Sequence, residues 1–195
     1  MRTEKRRGKG RGIAAIYMLV LLLSCHTSVI GPTPCRAGSP LVPVTTQCVM
    51  EAARYHSVPF AALLAIMDVE GGRVGESSQN TNGSEDLGPM QVNTIWLPRL
   101  ARYGISRELV RDNGCVNVAV AAWILREHLK EATLWAAIGA YHSRTPRLAQ
   151  KYQLRVWSRA KAIAEADGKR AGDVIARANG DVATRYQAEV ENDGR

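Results

Sequence analysis

The stretch FAALLAIMDVEGGRVGESSQNTNGSEDLGPMQVN, residues 60–93, decides how the rest of the chain is organised. Its first third is apolar. Three large apolar side chains and one carboxylate follow each other there at spacings of three or four residues: Phe60, Leu63, Met67 and Glu70. This spacing predicts a helix that carries all four residues on one face. Two glycines follow Glu70 directly, so the helix is expected to end there with open space around the carboxylate.

Glu70 is therefore predicted to end an apolar stripe. Partial removal from water disfavours the charged form of a carboxylate and raises its pKa above the ordinary value of about 4.3. A glutamate with a raised pKa keeps a proton near neutral pH, as a general acid requires. The alternative is a helix-terminal glutamate that faces water, which is the simpler interpretation for an isolated Glu.

A polar loop and a short alternating segment follow this helix. Residues 80–88 are mostly turn formers, and polar and apolar side chains alternate in Met90-Gln91-Val92-Asn93. In an extended segment Gln91 and Asn93 would point the same way and could bind a ligand by hydrogen bonds, although Asn93 could equally stabilise the loop. Met90 would project oppositely; it is a further candidate for a ligand contact, with packing as the simpler role.

The remaining sequence up to residue 165 predicts a mainly α domain. An apolar band from Val116 to Leu129 indicates a core helix, and no sustained alternation occurs, so strands are limited to at most a small hairpin in residues 75–93. Caps and prolines predict the other helix starts, at Thr46, Pro59, Ser106, Thr133 and Thr145-Pro146. The domain is expected to span 44–165, and the apolar-poor tail 166–195 is expected to pack little, with partial helix or disorder left open.

The N-terminus is typical of an exported protein. Residues 1–12 carry six basic side chains against one acidic, and Ile13–Leu23 is wholly apolar but too short to span a membrane. Residues 1–25 are therefore predicted to be a signal peptide, with an uncleaved anchor as the alternative. Leu22-Leu23-Ser24-Cys25 resembles a bacterial lipobox, so a lipidated Cys25 on an outer-membrane lipoprotein competes with simple secretion to the periplasm. Residues 26–43 are predicted to be a proline-rich linker or processed segment.

The cysteines and the charge distribution limit the partners. Cys48 and Cys115 are predicted to form a disulfide worth roughly 4 kcal/mol, with two buried thiols as the alternative, and Cys35 is left without a partner. The chain has no Cys-x-x-Cys and its four histidines are scattered, so neither zinc nor another cofactor is predicted. Most of the net positive charge lies in the predicted signal, so nucleic acid is not a predicted partner.

Three features together resemble the lysozyme-like lytic transglycosylase family over about residues 44–160: Glu70 at a helix end, Gly88-Pro89-Met90-Gln91 and Ala140-Tyr141-His142-Ser143. The Tyr-His-Ser-x-Thr-Pro form is similar to that of small members that accompany conjugation, pilus and secretion machines. The resemblance implies a lysozyme-like fold and action on peptidoglycan. Glu70 would protonate the bond between N-acetylmuramic acid and N-acetylglucosamine, then take the proton from the muramyl C6 hydroxyl, closing a 1,6-anhydro ring without water.

The resemblance also implies that Gln91 and Asn93 contact the sugars and that the Tyr141 hydroxyl orients the glutamate. Two positions depart from the family: Gly71 stands where Ser is usual, and His142 replaces the usual Asn. A muramidase hydrolase is the alternative enzyme and would need a second carboxylate, for which solvated or turn-capping roles are simpler: Asp86, Glu85 or Glu76. A peptidoglycan-binding scaffold without catalysis is the remaining alternative.

Overall fold

The computed structural model describes residues 40–166 and 169–193, and the chain there is mainly helical, as predicted. Short 3₁₀ turns at Thr94–Trp96 and Ala101–Tyr103 flank the third helix. The helices are α1 Thr46–His56, α2 Phe60–Glu70, α3 Leu97–Leu100, α4 Arg107–Asp112, α5 Gly114–Leu129, α6 Leu134–His142, α7 Pro146–Ala164, α8 Lys169–Asn179 and α9 Val182–Asp193.

Side-chain caps explain most of the helix starts. The hydroxyl of Thr45, one residue before the predicted cap, accepts from the N–H of Cys48 at 3.1 Å. Ser106 and Thr133 cap α4 and α6 as predicted. Asn113 alone separates α4 from α5, and its side chain accepts from the N–H of Val116 at 3.0 Å. These caps fill hydrogen-bonding positions that helix ends leave open.

Helix α2 lies at the centre of the fold. The residues from Ala62 to Met67 are all buried, because α1, α5, α7 and α8 pack around this helix. The apolar surface of α2 therefore extends well beyond the single predicted face. Being enclosed on several sides, α2 gives Glu70 a rigid support at its C-terminus.

A small antiparallel sheet follows α2 in the chain. Its strands are β1 Ser77–Gln79, β2 Glu85–Leu87 and β3 Val92–Asn93, in the order β1-β2-β3. Asp86 pairs with Ser78 on one side and with Asn93 on the other. The predicted hairpin is thus present, and β3 extends it by one strand.

The predicted disulfide between Cys48 and Cys115 is present. It joins the first turns of α1 and α5 across 67 residues of chain, with the Cα atoms 5.5 Å apart. The predicted signal peptide, Cys25 and its lipobox, and Cys35 lie outside the described residues. Across the two ranges that the structure covers, no helix has the length and apolar character needed to cross a membrane.

Packing in the structure extends beyond residues 44–165 at both ends. Residues 41–43 are part of the domain, since Val42 forms a parallel bridge with Asn113 and its N–H donates to the carbonyl of Asp112 at 2.9 Å. Helix α8 also packs against α2, although little packing was expected after residue 166. Its few apolar side chains share one face, which is buried: Val174, Ile175 and Ala178.

Candidate active site

A groove of about 660 Å³ lies beside the C-terminus of α2. Glu70 lines it, together with residues of the loop and sheet that follow α2 and with the C-terminal end of α6. The residues that carry the arguments below are Asp86, Gln91, Asn93, Tyr141 and His142. The groove therefore brings together most of the site residues predicted from the sequence.

Burial raises the pKa of Glu70 from 4.5 to about 7. A hydrogen bond from Tyr152 lowers that pKa, the carboxylate of Asp86 raises it, and the cation of Arg155 lowers it, each by less than burial does. The balance leaves Glu70 close to half protonated near neutral pH. A carboxyl group in this state can donate a proton and later accept one.

The direct partner of Glu70 is Tyr152 of α7. The Tyr152 hydroxyl donates to Glu70 Oε1 at 2.6 Å, whereas the Tyr141 hydroxyl donates to the backbone carbonyl of Met90 at 2.8 Å. The implied contact between Tyr141 and the glutamate is therefore not made. The sequence analysis did not single out Tyr152; the signal it missed is that a buried tyrosine hydroxyl needs a partner.

His142 covers the hydrogen bond between Tyr152 and Glu70 from the groove side. Its ring stacks on that of Tyr152, with centroids 4.7 Å apart and planes 2° from parallel. Burial and the nearby cation of Arg155 lower the pKa of His142. The histidine that replaces the usual Asn thus presents a neutral aromatic ring to the groove at neutral pH.

Asn117 of α5, which the sequence analysis missed, holds the Gly-Pro-Met-Gln loop in place. Its Oδ1 accepts from the N–H of Met90 at 2.8 Å, and its Nδ2 donates to the carbonyls of Leu87 and Val110 at 2.8 and 2.9 Å. The side chain is completely buried, so these bonds satisfy all of the groups that it removes from water. A polar residue inside the predicted core helix was the available signal.

Glycines allow the loop to approach α2 closely. A Cβ atom at Gly72 would overlap the carbonyl oxygen of Gly88 and the side chain of Gln91. Gly71, where the family usually has Ser, ends α2 with a φ of 66°, a left-handed conformation that favours glycine. The departure at Gly71 therefore has a local backbone reason.

Gln91 and Asn93 both line the groove, but the predicted extended geometry is wrong for Gln91. It has a φ of 48°, and its Nε2 donates to the carbonyl of Gly88 at 2.9 Å. Asn93 donates to Asp86 Oδ1 at 2.7 Å and accepts from the N–H of Ile95 at 3.0 Å, as expected for a loop-stabilising residue. The side chain of Met90 is 0% exposed and packs in the core rather than lining the groove.

Of the three candidate second carboxylates, Asp86 is the one that lines the groove. It lies in β2, and its two oxygens accept from Nδ2 of Asn80 at 3.0 Å and of Asn93 at 2.7 Å. Glu85 instead forms an ion pair with Arg107, and Glu76 is exposed beside Arg73 at 3.8 Å. Amide donors stabilise a charged carboxylate, so Asp86 supplies negative charge to the groove.

Comparison with known proteins agrees with this arrangement. The family described as "Transglycosylase SLT domain" matches residues 47–163, more than half of the chain, and the match includes Glu70, the motif loop and Tyr152. The chain belongs to the transglycosylase SLT domain family. Its mainly helical fold with a small sheet is the lysozyme-like SLT fold that the sequence predicted.

Curated relatives cover much of the same region as the SLT match. "Invasion protein IagB" of Salmonella typhi is 31% identical over 124 residues, which is 60% of this chain and 78% of the relative. "Protein IpgF" of Shigella flexneri is 33% identical over 110 residues, 55% of this chain and 72% of the relative. A "Peptidoglycan-binding-like protein" of Escherichia coli O157:H7 is 32% identical over 76 residues, 36% of this chain and 45% of the relative.

The SLT groove shows no arrangement suited to a metal ion. Among residues 40–166 and 169–193, no three acidic, histidine or cysteine side chains are grouped so that they could bind one. The groove-lining groups used in the argument below are the Glu70 carboxyl, the Asp86 carboxylate and the neutral His142 ring.

Proposed function

We propose that this SLT protein is a peptidoglycan lytic transglycosylase that cleaves the β-1,4 bond between N-acetylmuramic acid and N-acetylglucosamine and forms a 1,6-anhydromuramyl product. The observation that carries the proposal is Glu70, a groove-lining carboxyl group with a pKa of about 7 that accepts a hydrogen bond from Tyr152. Membership of the SLT family supports peptidoglycan as the substrate.

The proposed reaction uses Glu70 twice. Oε1 of Glu70 already accepts the hydrogen bond from Tyr152, so the proton of Glu70 is carried by Oε2. This proton passes to the glycosidic oxygen as the bond between that oxygen and the muramyl C1 breaks. The bonding electrons leave with that oxygen, and positive charge develops at C1, where the carboxylate of Asp86 stabilises it electrostatically. Glu70 then removes the proton of the C6 hydroxyl while the oxygen of that hydroxyl forms a bond to C1. No water is consumed, and Glu70 is protonated again at the end.

Asp86 also favours a second candidate reaction, hydrolysis by a muramidase. Its carboxylate is held by two asparagine amides at the groove, as a nucleophile or charge stabiliser would be. In that reaction water attacks C1 and the product carries a reducing end. A non-catalytic peptidoglycan-binding scaffold is the remaining candidate, and the raised pKa of Glu70 argues against it.

Digestion of purified peptidoglycan followed by mass spectrometry of the muropeptides separates these reactions. Anhydro-muropeptides are expected from the parent and none from Glu70→Gln, with circular dichroism confirming that both are folded. Reducing-end products abolished by Asp86→Asn would instead identify a hydrolase. No release by the folded parent would contradict both reactions and favour the scaffold.

The biological setting that we propose is local opening of the cell wall for a conjugation or secretion apparatus in the periplasm or cell envelope. The relative named an invasion protein supports a role of this kind. Deleting the gene for this chain is expected to reduce transfer through the apparatus, and the Glu70→Gln gene should fail to restore it. Restoration by Glu70→Gln would show that the role in the apparatus is independent of catalysis.

A further inference from the structure

The outer face of α7 carries an apolar patch that the core does not use. Leu154 is 62% exposed and Trp157 is 59% exposed, and Trp135 of α6, which is 39% exposed, contacts Trp157 edge to face with ring centroids 5.9 Å apart. We call Trp135, Leu154 and Trp157 the α7 patch. Large apolar side chains grouped on a surface favour a partner that removes them from water.

The charge of α7 indicates the chemistry of that partner. The helix contains five basic side chains and no carboxylate: Arg147, Lys151, Arg155, Arg159 and Lys161. Lys151 and Lys161 lie three residues before and seven residues after Leu154, so helical geometry brings them to the same face. The apolar patch is therefore bordered by cations at both ends.

A shallow depression of about 500 Å³ adjoins the patch. Leu154, Lys151 and Ser158 line it beside the Arg155 and Arg159 side chains, and so does Asp68, whose carboxylate is paired with Arg159 and Arg177. Arg155 is anchored by a 3.0 Å bond to the carbonyl of Val69, and Arg159 by Asp68 at 3.5 Å. The depression offers hydroxyl, ammonium and guanidinium donors suited to a phosphate group, directly beside side chains suited to an acyl layer.

We propose that the outer face of α7 binds an anionic phospholipid membrane surface, with a lipid phosphate in this depression and with Leu154 and Trp157 in the acyl boundary. Tryptophan and long basic side chains are the residues that occupy the membrane interface, where the ring is apolar and the cations meet anionic headgroups. An acidic protein partner would also complement the cations, but the exposed Leu154 and Trp157 side chains beside them match the acyl boundary of a bilayer.

Docking in this way leaves the groove accessible. Tyr152 lies two residues before Leu154 and points to Glu70 from the inner face of α7, so the helix itself separates the patch from the groove. The inference concerns a different surface from the proposed catalytic groove and does not depend on the reaction carried out there.

Tryptophan quenching by vesicles with brominated acyl chains tests the proposal on the full-length protein, because bromine quenches only indoles that enter the bilayer. Vesicles of phosphatidylcholine containing phosphatidylglycerol are expected to quench the parent, and phosphatidylcholine vesicles to quench it much less. The double variant Lys151→Glu/Lys161→Glu should need about tenfold or more anionic vesicles for half-maximal quenching. Trp157→Phe should lose most of the quenched emission.

Charge reversal elsewhere gives the matched control. Arg54→Glu/Arg102→Glu changes the net charge equally on exposed residues of other helices and should leave the quenching unchanged. Absent quenching, equal quenching by neutral vesicles, or quenching that Lys151→Glu/Lys161→Glu leaves intact would each overturn the proposal. The last two results would show that the cations of α7 do not direct the membrane contact, and the first would point to a protein partner.

Discussion

The Tyr152 hydroxyl donates to Oε1 of Glu70 across 2.6 Å and so joins the middle of α7 to the last residue of α2. The two residues are 82 positions apart in the sequence. This bond lowers the pKa of Glu70 against the larger effect of burial, which raises it. Tyr152 therefore acts on both the position and the proton affinity of the proposed acid.

Removing that hydroxyl should change the pH dependence of the reaction. The bond favours the charged carboxylate, so Tyr152→Phe is expected to raise the Glu70 pKa above about 7 and move the alkaline limb of the kcat/KM profile to higher pH. Looser positioning should also lower the maximal rate roughly ten- to hundredfold. Profiles of muropeptide release across pH would show both effects.

Tyr141→Phe is the matched control for this variant, because it removes an equivalent hydroxyl that bonds to Met90 rather than to Glu70. It should lower the rate without moving the alkaline limb. A shift of that limb in Tyr141→Phe, with none in Tyr152→Phe, would exchange the roles assigned to the two tyrosines.

Glu70 should also make the stability of the fold depend on pH. The folded form holds the proton with a pKa of about 7, against 4.5 for the unfolded chain, so unfolding releases this proton between those values. The parent should lose stability as pH rises from 4.5 to 7. Because a tenfold change in proton affinity is worth about 1.4 kcal/mol, Glu70→Gln should be about 3 kcal/mol more stable than the parent above pH 7 and equal to it below pH 4.5.

Urea unfolding at pH 4, 6 and 8 measures this difference. Glu76→Gln is the control, since Glu76 is exposed and its substitution should give no pH-dependent gain. A constant difference between Glu70→Gln and the parent at all three pH values would contradict the raised pKa.

Two buried asparagines should separate stability from activity. Asn117→Ala leaves the N–H of Met90 and the carbonyls of Leu87 and Val110 without partners, so it should cost about 3 kcal/mol and also reduce activity through the motif loop. Asn179→Ala should cost a similar amount, because Asn179 bonds to both N–H and carbonyl of Val44, yet leave activity intact at temperatures where the variant is folded.

Thermal unfolding and muropeptide release, measured on the same samples, would test the pair. Equal losses of activity in the two folded variants would show that Asn117 has no special relation to the groove.

The disulfide should contribute substantially to stability. Replacing Cys48 and Cys115 by Ser frees a 67-residue loop and should lower the free energy of unfolding by about 4 kcal/mol on the chain-entropy model. Urea titrations of the double variant, with and without reductant, measure this cost. The reduced parent should match the double variant, and a parent insensitive to reductant would contradict a bridge that supports the fold.

Local signals predicted much of this structure. Caps and prolines gave most helix starts within a residue or two, since a side-chain oxygen beside an open N–H acts over three residues. The spacing of Leu63, Met67 and Glu70 identified the helix that carries the candidate acid. The glycines after Glu70 indicated both its end and the room around it.

Long-range packing decided what remained unpredicted. Only the packing of α7 against α2 brings the Tyr152 hydroxyl to Glu70, and no local pattern reveals that contact. Gln91 adopts a left-handed conformation that alternation along a strand does not reveal. The packing of helix α8 was not predicted because its apolar residues are few, and their shared face is covered only when α2 lies beneath it.

The hydrogen bonds from Asn179 to Val44 have a consequence for shortening this protein. They connect the last turn of α8 to the segment that enters α1, so parts of the chain near the two ends of the folded unit are held together. The family match stops at residue 163, and a protein cut there would lose that fastening together with the Arg177 side chain that meets Asp68 at 2.5 Å. A shortened form of this chain should therefore extend at least to Asn179, sixteen residues beyond the end of the family match.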